Sequence, residues 1–299
     1  MKENEMNKPK DTQDRVFLVG DGEPTYRVAG MMANAGQEVV LLTIDPTAAS
    51  VAIERCSSPS ACSLTLLTDW PDAIPCDLAV AITPEQPAAK RNIIQQLACR
   101  LDDDAIIAIN TESVSLEELQ AGNPRPERIL GLNWCYPANL TFFLEIIANA
   151  MSDAKSIDRL VTMGRERWGK DPYTIHSGFS ARARMMAAWA REAIHLVEQG
   201  YASMESIDRA CRNDAGHYLP FAGNFRYMDL MGTYAYGMVM KDLNPDLAQL
   251  TTVPEKLAEE LVAYAVSGSA EREAAFQRFS EEIRALILKY PHPYETLDR

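Results

Sequence analysis

The chain has 299 residues, 47% hydrophobic and 24% charged, which is ordinary globular composition and enough for one large domain or two of usual size. A formal charge of −13 excludes nucleic acid and anionic membranes as expected partners, since both need clustered Lys and Arg. Six dispersed cysteines (Cys56, Cys62, Cys76, Cys99, Cys135, Cys211) without a CxxC pair, and only four histidines, give the expectation of cytoplasmic free thiols and no metal site.

Residues 1–14 are polar and are expected to form a flexible N-terminus. They lack the apolar core of a signal peptide, and no later run approaches membrane-spanning length. Arg15–Val19 is an apolar strand that runs into Gly20-Asp21-Gly22-Glu23-Pro24-Thr25. A helix follows, with Val28, Met31, Met32 and Ala35 on it and Gly36 at its end, and then a second strand over 39–44. Strand, glycine turn, helix and strand form the context of a dinucleotide fingerprint. Gly20 permits the tight turn and Gly22 lets backbone approach a pyrophosphate, whereas Thr25 stands where a third glycine would ease helix packing. Further strands are expected at 64–68, 77–82, 105–109 and 129–132, with an amphipathic helix over 87–101 carrying Ile93, Ile94, Leu97 and Leu101. This alternation predicts a mostly parallel sheet that binds ligands at its strand C-ends.

From about 178 onward the pattern turns helical. A long helix is expected over 181–199, stopped by Gly200, and another begins at an N-cap Ser203. Two more amphipathic helices are expected over 254–267 and 271–289. The fold class is thus a Rossmann-type α/β N-terminal domain (15–177) followed by an all-α C-terminal domain (178–299).

The stretch 108–145, AINTESVSLEELQAGNPRPERILGLNWCYPANLTFFLE, carries the main functional signal. One apolar strand ends in Asn110-Thr111, a second ends at Asn133, and Glu145 follows twelve residues later. This framework resembles the active-site segment of the 3-hydroxyacyl-CoA dehydrogenase family, which reads Asn-Thr-Ser-Ser-Leu, then Gly-Leu-His-Phe-Phe-Asn-Pro, then Val-Glu on a helix. The helical segment with Glu-Ala-Ile, Ile-Asp and a closing Phe225, Asp229 and Gly232 resembles the same family's C-terminal domain. Together the two blocks span most of 15–235.

The resemblance implies a homodimeric NAD-dependent oxidoreductase that interconverts 3-hydroxyacyl and 3-keto groups, with a degenerate site. The family's serine falls on Glu112 and its histidine on Asn133. Its glutamate is kept as Glu145, and its asparagine falls on Arg182. The cofactor would lie on Gly20, Gly22, Thr25, Thr43 and Asn110. The family's ribose-binding aspartate is replaced by Thr43, with Asp45 two residues on, and no Lys or Arg between Thr43 and Arg55 offers to receive a 2′-phosphate. NAD is therefore expected over NADP, and a site that binds neither is the alternative. The negative charge sits awkwardly with acyl-CoA as substrate unless a basic patch exists, so a small hydroxy acid is the rival substrate and a non-catalytic ligand-binding homologue the third reading.

Asn133 can exchange hydrogen bonds but cannot take up a proton. The residues leave three readings of Glu112 open. Either Glu145 and burial raise its pKa and make it a base, or it points to solvent at a strand end, or it forms an ion pair with Arg182 that removes the role of base. Arg182 itself suits a bidentate carboxylate contact. Glu85 and Lys90 read as a solvated pair.

Overall fold

The computed structural model describes residues 15–56, 64–231, 254–255, 257 and 270–289. Its backbone contacts divide the chain into two compact units, Met1–Ala183 and Arg184–Arg299.

The first unit is built on one eight-stranded sheet. Its strands are β1 (Arg15–Gly20), β2 (Glu38–Leu42), β3 (Leu64–Leu67), β4 (Leu78–Ile82), β5 (Ile106–Ile109), β6 (Ile129–Trp134), β7 (Phe143–Ile147) and β8 (Asp171–Ile175). They lie in the order β3-β2-β1-β4-β5-β6-β7-β8. Every neighbouring pair is parallel except β6 and β7. Helices α1 (Gly22–Asn34), α2 (Pro46–Glu54), α3 (Pro87–Ala98), α4 (Leu116–Gln120) and α5 (Ala154–Glu166) accompany the sheet.

The central strands are apolar on both faces, which is what a helix-covered parallel sheet requires. Alternate side chains divide between two cores. Val16, Leu18, Leu78 and Val80 join Val28 and Met32 of α1 on one side. Phe17, Val19, Ala79 and Ala81 join Ile94 and Leu97 of α3 on the other. The chain leaves β1 toward β2 and β3 on one side and then crosses back to β4. The order reverses at β1 and β4, so their C-ends form the crevice in which such sheets bind ligands.

One feature departs from the sequence-based expectations. The Glu145 segment, expected on a helix, is strand β7, because it pairs antiparallel with β6 and parallel with β8. β8 contains Pro172, which a sheet tolerates here because β8 is the edge strand.

Helix α6 (Ala181–Glu198), whose first three residues belong to the first unit, and α7 (Met204–Asn213) follow the expected boundaries closely. Ser203 Oγ accepts from Ser206 N as the N-cap of α7. Helix α8 (Ala215–Met231) is broken at Gly223, whose φ of 66° leaves the helical region. Helix α9 (Ala270–Lys289) corresponds to the expected 271–289 element, while most of 254–267 lies outside the described residues. No residue of α6 or α7 is buried, and Met185, Met186, Trp189, Phe276 and Phe279 are exposed. No described helix is long and apolar enough to cross a membrane.

Candidate functional site

The glycine turn at the end of β1 fits a dinucleotide. Gly20 has φ +149° and Gly22 φ +82°, values that L side chains rarely adopt. A Cβ at Gly20 would stand 2.2 Å from the Ile82 carbonyl oxygen, so the turn is shaped for backbone alone. Asp21 is the N-cap of α1 but makes no capping bond, which leaves the first N–H groups of the helix available to an anion. Thr25, fully buried where a glycine eases packing, donates its hydroxyl to Asp21 O at 3.1 Å. Thr43, at the end of β2, is buried too and donates to Asp21 Oδ1 at 2.6 Å. The turn can therefore take a pyrophosphate at its backbone.

Asn110, at the end of β5, ties two strand ends together. Its Oδ1 accepts from Thr83 N at 2.8 Å and its Nδ2 donates to Thr83 O at 3.0 Å. The Lys90 ammonium beneath it is fully buried, donates to Asn110 O at 2.6 Å and pairs with Glu85 Oε2 at 3.0 Å. The expected solvated Glu85–Lys90 pair is thus an internal one. Burial pushes the Lys90 ammonium below its ordinary pKa against the pull of Glu85.

Glu85 does more than meet Lys90. Its Oε1 accepts the backbone N–H groups of Glu112, Ser113 and Val114 at 2.8–2.9 Å and so fixes the loop after β5. Burial alone would raise the Glu85 pKa, but these N–H groups and Lys90 carry it below the ordinary value. Periodicity could not distinguish this pair from surface charges; its signal lay in the position of both residues just after a buried strand.

Asn133 and Glu145 are register partners across β6 and β7, so their side chains share one face. Asn133 is 1% exposed and its amide is consumed internally. Nδ2 donates to Thr111 O at 2.7 Å and to Glu145 Oε2 at 3.0 Å, while Oδ1 accepts from Thr111 N at 2.9 Å. The amide clips the end of β5 to β6.

Glu145 is fully buried and gathers donors from several segments. Asn133 Nδ2 and Ser180 Oγ (2.6 Å) reach Oε2, and Tyr173 OH and Arg182 N (both 3.1 Å) reach Oε1. Tyr173 is its register partner on β8. Burial and the Glu145 charge hold that phenol well above its usual pKa, so it remains a donor. Neither Tyr173 nor Ser180 was singled out from sequence, because they converge on Glu145 only through the β7–β8 pairing and the start of α6.

Arg182 meets both carboxylates that the sequence singled out. Its backbone N–H is on Glu145, its Nη1 is 2.8 Å from Glu112 Oε1, and its guanidinium lies 5.7 Å from the Phe143 ring centre. Burial raises the Glu112 pKa first of all. Arg182 lowers it, Glu145 and Glu85 raise it again, and the net direction is upward. The shift agrees with the reading of Glu112 as a base, but the geometry does not, since a guanidinium holds one of its oxygens. Distance decides here, and Glu112 is a partner of Arg182 before it is a free proton acceptor. Among the described residues no cluster of His, Cys, Asp and Glu could hold a metal ion.

Comparison with known proteins places this geometry. Residues 15–177 match the family model for the NAD binding domain of 3-hydroxyacyl-CoA dehydrogenase, and residues 178–277 match that for its C-terminal domain. A 5-formyl-3-hydroxy-2-methylpyridine 4-carboxylate 5-dehydrogenase of Mesorhizobium japonicum is 25% identical over 293 residues, 91% of this chain and 93% of its own. A 3-hydroxybutyryl-CoA dehydrogenase of Mycobacterium tuberculosis is 27% identical over 242 residues, 74% of this chain and 83% of its own. The crystal structure of a 5-formyl-3-hydroxy-2-methylpyridine 4-carboxylic acid 5-dehydrogenase shares the fold with a TM-score of 0.79 at 23% identity, covering 94% of this chain and 100% of that one. A 3-hydroxyacyl-CoA dehydrogenase structure from Archaeoglobus fulgidus aligns at a TM-score of 0.69 and 22% identity, over 92% and 99%. With two family models matched in succession and a glycine turn that fits the dinucleotide, NAD is the cofactor, and this chain belongs to the 3-hydroxyacyl-CoA dehydrogenase family.

Proposed function

We propose that the chain is an NAD-dependent oxidoreductase that interconverts a hydroxyl and a carbonyl on a small carboxylic acid, with Arg182 holding the substrate carboxylate. The observation that carries this reading is the Arg182 guanidinium, which stands where the family resemblance expects a neutral amide and makes one hydrogen bond among the described residues, to Glu112. A guanidinium offers five N–H donors in a fork that matches a carboxylate. A substrate carboxylate can share or take over the place of Glu112 on that fork. The charge of −13 favours a small acid over a CoA thioester, which brings several more negative charges. A similar protein, from M. japonicum, is named for a pyridine 4-carboxylate substrate.

NAD, when bound, would supply the hydride acceptor or donor. On this reading Gly20 and Gly22 would admit the pyrophosphate, Thr25 and Thr43 support the turn, and Asn110 braces the strand ends that would hold the cofactor. Glu145 positions Arg182 through its backbone N–H, and Glu112 orients the guanidinium. Asn133 braces this arrangement. Because its amide cannot carry a proton and its hydrogen bonds are used internally, the hydroxyl proton is exchanged with solvent, and turnover is slow by the ~10²–10⁴-fold that a positioned base supplies. The exposed apolar side chains of α6 and α9 support a homodimer, and the free thiols suit the cytoplasm.

A second reading, oxidation of a 3-hydroxyacyl-CoA, is favoured by the Asn133–Glu145 pair, which keeps the spacing of the family's histidine and glutamate. Steady-state kinetics with matched 3-oxo acids and their CoA thioesters, with NADH, separate the two. The free acid should be preferred by about tenfold or more in kcat/KM, and Arg182→Asn should erase the preference through KM. Preference for the thioester would establish the second reading. NADH binding without turnover of either would mark a ligand-binding homologue.

A further inference from the structure

We infer that Asp21, in the glycine turn, is the carboxylate that grips the adenosine ribose of NAD, in place of the acid missing from the end of β2. In dinucleotide-binding folds an Asp or Glu about 20 residues beyond the first glycine accepts the ribose hydroxyls from that strand end. Here that place is held by Thr43, which cannot act as an anionic acceptor. Its hydroxyl is buried, donates to Asp21 and lies 3.2 Å from Tyr26 OH. Asp45, the other acid nearby, is committed as the N-cap of α2, its Oδ1 accepting from Ala48 N at 2.9 Å.

Asp21 supplies what both lack. Although it is the N-cap of α1, its side chain turns away from that helix and crosses to the end of β2. There its Oδ1 accepts from Thr43 Oγ1 at 2.6 Å and from Ile44 N at 2.8 Å. β1 and β2 are parallel neighbours whose C-ends adjoin, so a carboxylate from one strand end reaches the place that an acid on the other would fill. Both bonds fall on Oδ1, and Oδ2 meets no described residue on an exposed side chain. The ligand chemistry that fits is a cis-diol donating to a fixed carboxylate oxygen. A 2′-phosphate in the same place would meet a negative charge, with no Lys or Arg between Thr43 and Arg55 to offset it. The acid has changed strands, and the preference for NAD over NADP comes with it.

Titration calorimetry with NADH, NADPH and NADH lacking the adenosine 2′-hydroxyl tests this on the full chain. Wild type should bind NADH about tenfold or more tighter than either of the other two. Asp21→Asn keeps an Oδ1 acceptor for Thr43 and Ile44 but removes the charge. It should lose about tenfold or more in NADH affinity, bind the 2′-deoxy cofactor as it binds NADH, and discriminate against NADPH about tenfold less. Unchanged NADH affinity, or an equal loss for all three ligands, would overturn the assignment. Should the variant fail to fold, wild type decides alone, since equal binding of NADH and its 2′-deoxy form overturns it.

Discussion

Asn133→Ala tests whether the amide is a brace or a ligand contact. The substitution leaves Thr111 N and Thr111 O without the partners they have now and removes one of two donors from Glu145 Oε2, which keeps Ser180 Oγ, all in a buried setting. Each unsatisfied buried group costs ~1–3 kcal/mol, and a water entering the vacated space recovers part of that, so the net loss is ~3–5 kcal/mol. For a unit of the size of Met1–Ala183, each kcal/mol moves the melting temperature by ~2–4 °C, which gives a drop of ~6–20 °C. Differential scanning calorimetry reads it, the relevant transition being the one that NADH shifts upward. A residue that reached into the cleft for substrate would cost little stability when removed. A drop below about 2 °C, with affinity for substrate lost instead, would refute the internal hydrogen bonding of this amide.

Lys90→Met should destabilise the same transition by ~1–3 kcal/mol, because Glu85 Oε2 and Asn110 O lose their shared cation while Glu85 Oε1 keeps its three backbone N–H donors; urea unfolding with an unchanged m-value checks it. Since the folded Glu85 pKa lies below its unfolded value of ~4.3, the unfolded chain binds the proton first. The stability due to Glu85 is complete above that pH and is lost as pH falls through the folded pKa, a dependence that Glu85→Gln should flatten in acid titrations followed by circular dichroism. Gly20→Ala sets a Cβ 2.2 Å from Ile82 O at a φ of +149°, so NADH affinity by fluorescence titration should fall ~10-fold or more, with stability lowered by ~1–3 kcal/mol. Light scattering should report about twice the 33.2 kDa chain mass, and a monomer at micromolar concentration would count against the homodimer.

The sheet through β6 was legible because each strand is a short, mostly apolar run closed by glycine or polar residues. β7 and β8 were not. β7 follows a long loop and reads as well for a helix, and Pro172 argues against a strand until the edge position is known. The candidate site was legible where one segment supplies its residues, as with Asn110, Glu112 and Asn133. It was obscure where tertiary pairing supplies them, since Ser180 and Tyr173 meet Glu145 only after β8 and α6 are in place. The family resemblance put Arg182 in the candidate site but left its partner open, and the structure pairs it with Glu112 at 2.8 Å. Asp21 was not legible, because a fingerprint fixes the glycines and says nothing of where the intervening side chain points.

Transfer of deuterium from NADH labelled at the nicotinamide C4 shows whether hydride reaches a free oxo acid. Small oxo acids and their CoA thioesters are incubated with wild type and with Arg182→Asn, and the products are read by mass spectrometry. Deuterium should appear in the hydroxy acid made by wild type, with incorporation at limiting acid concentration falling ~10-fold or more in Arg182→Asn. NADH bound at saturation with no deuterium in any product, or with label in the thioester alone, would contradict the proposed function.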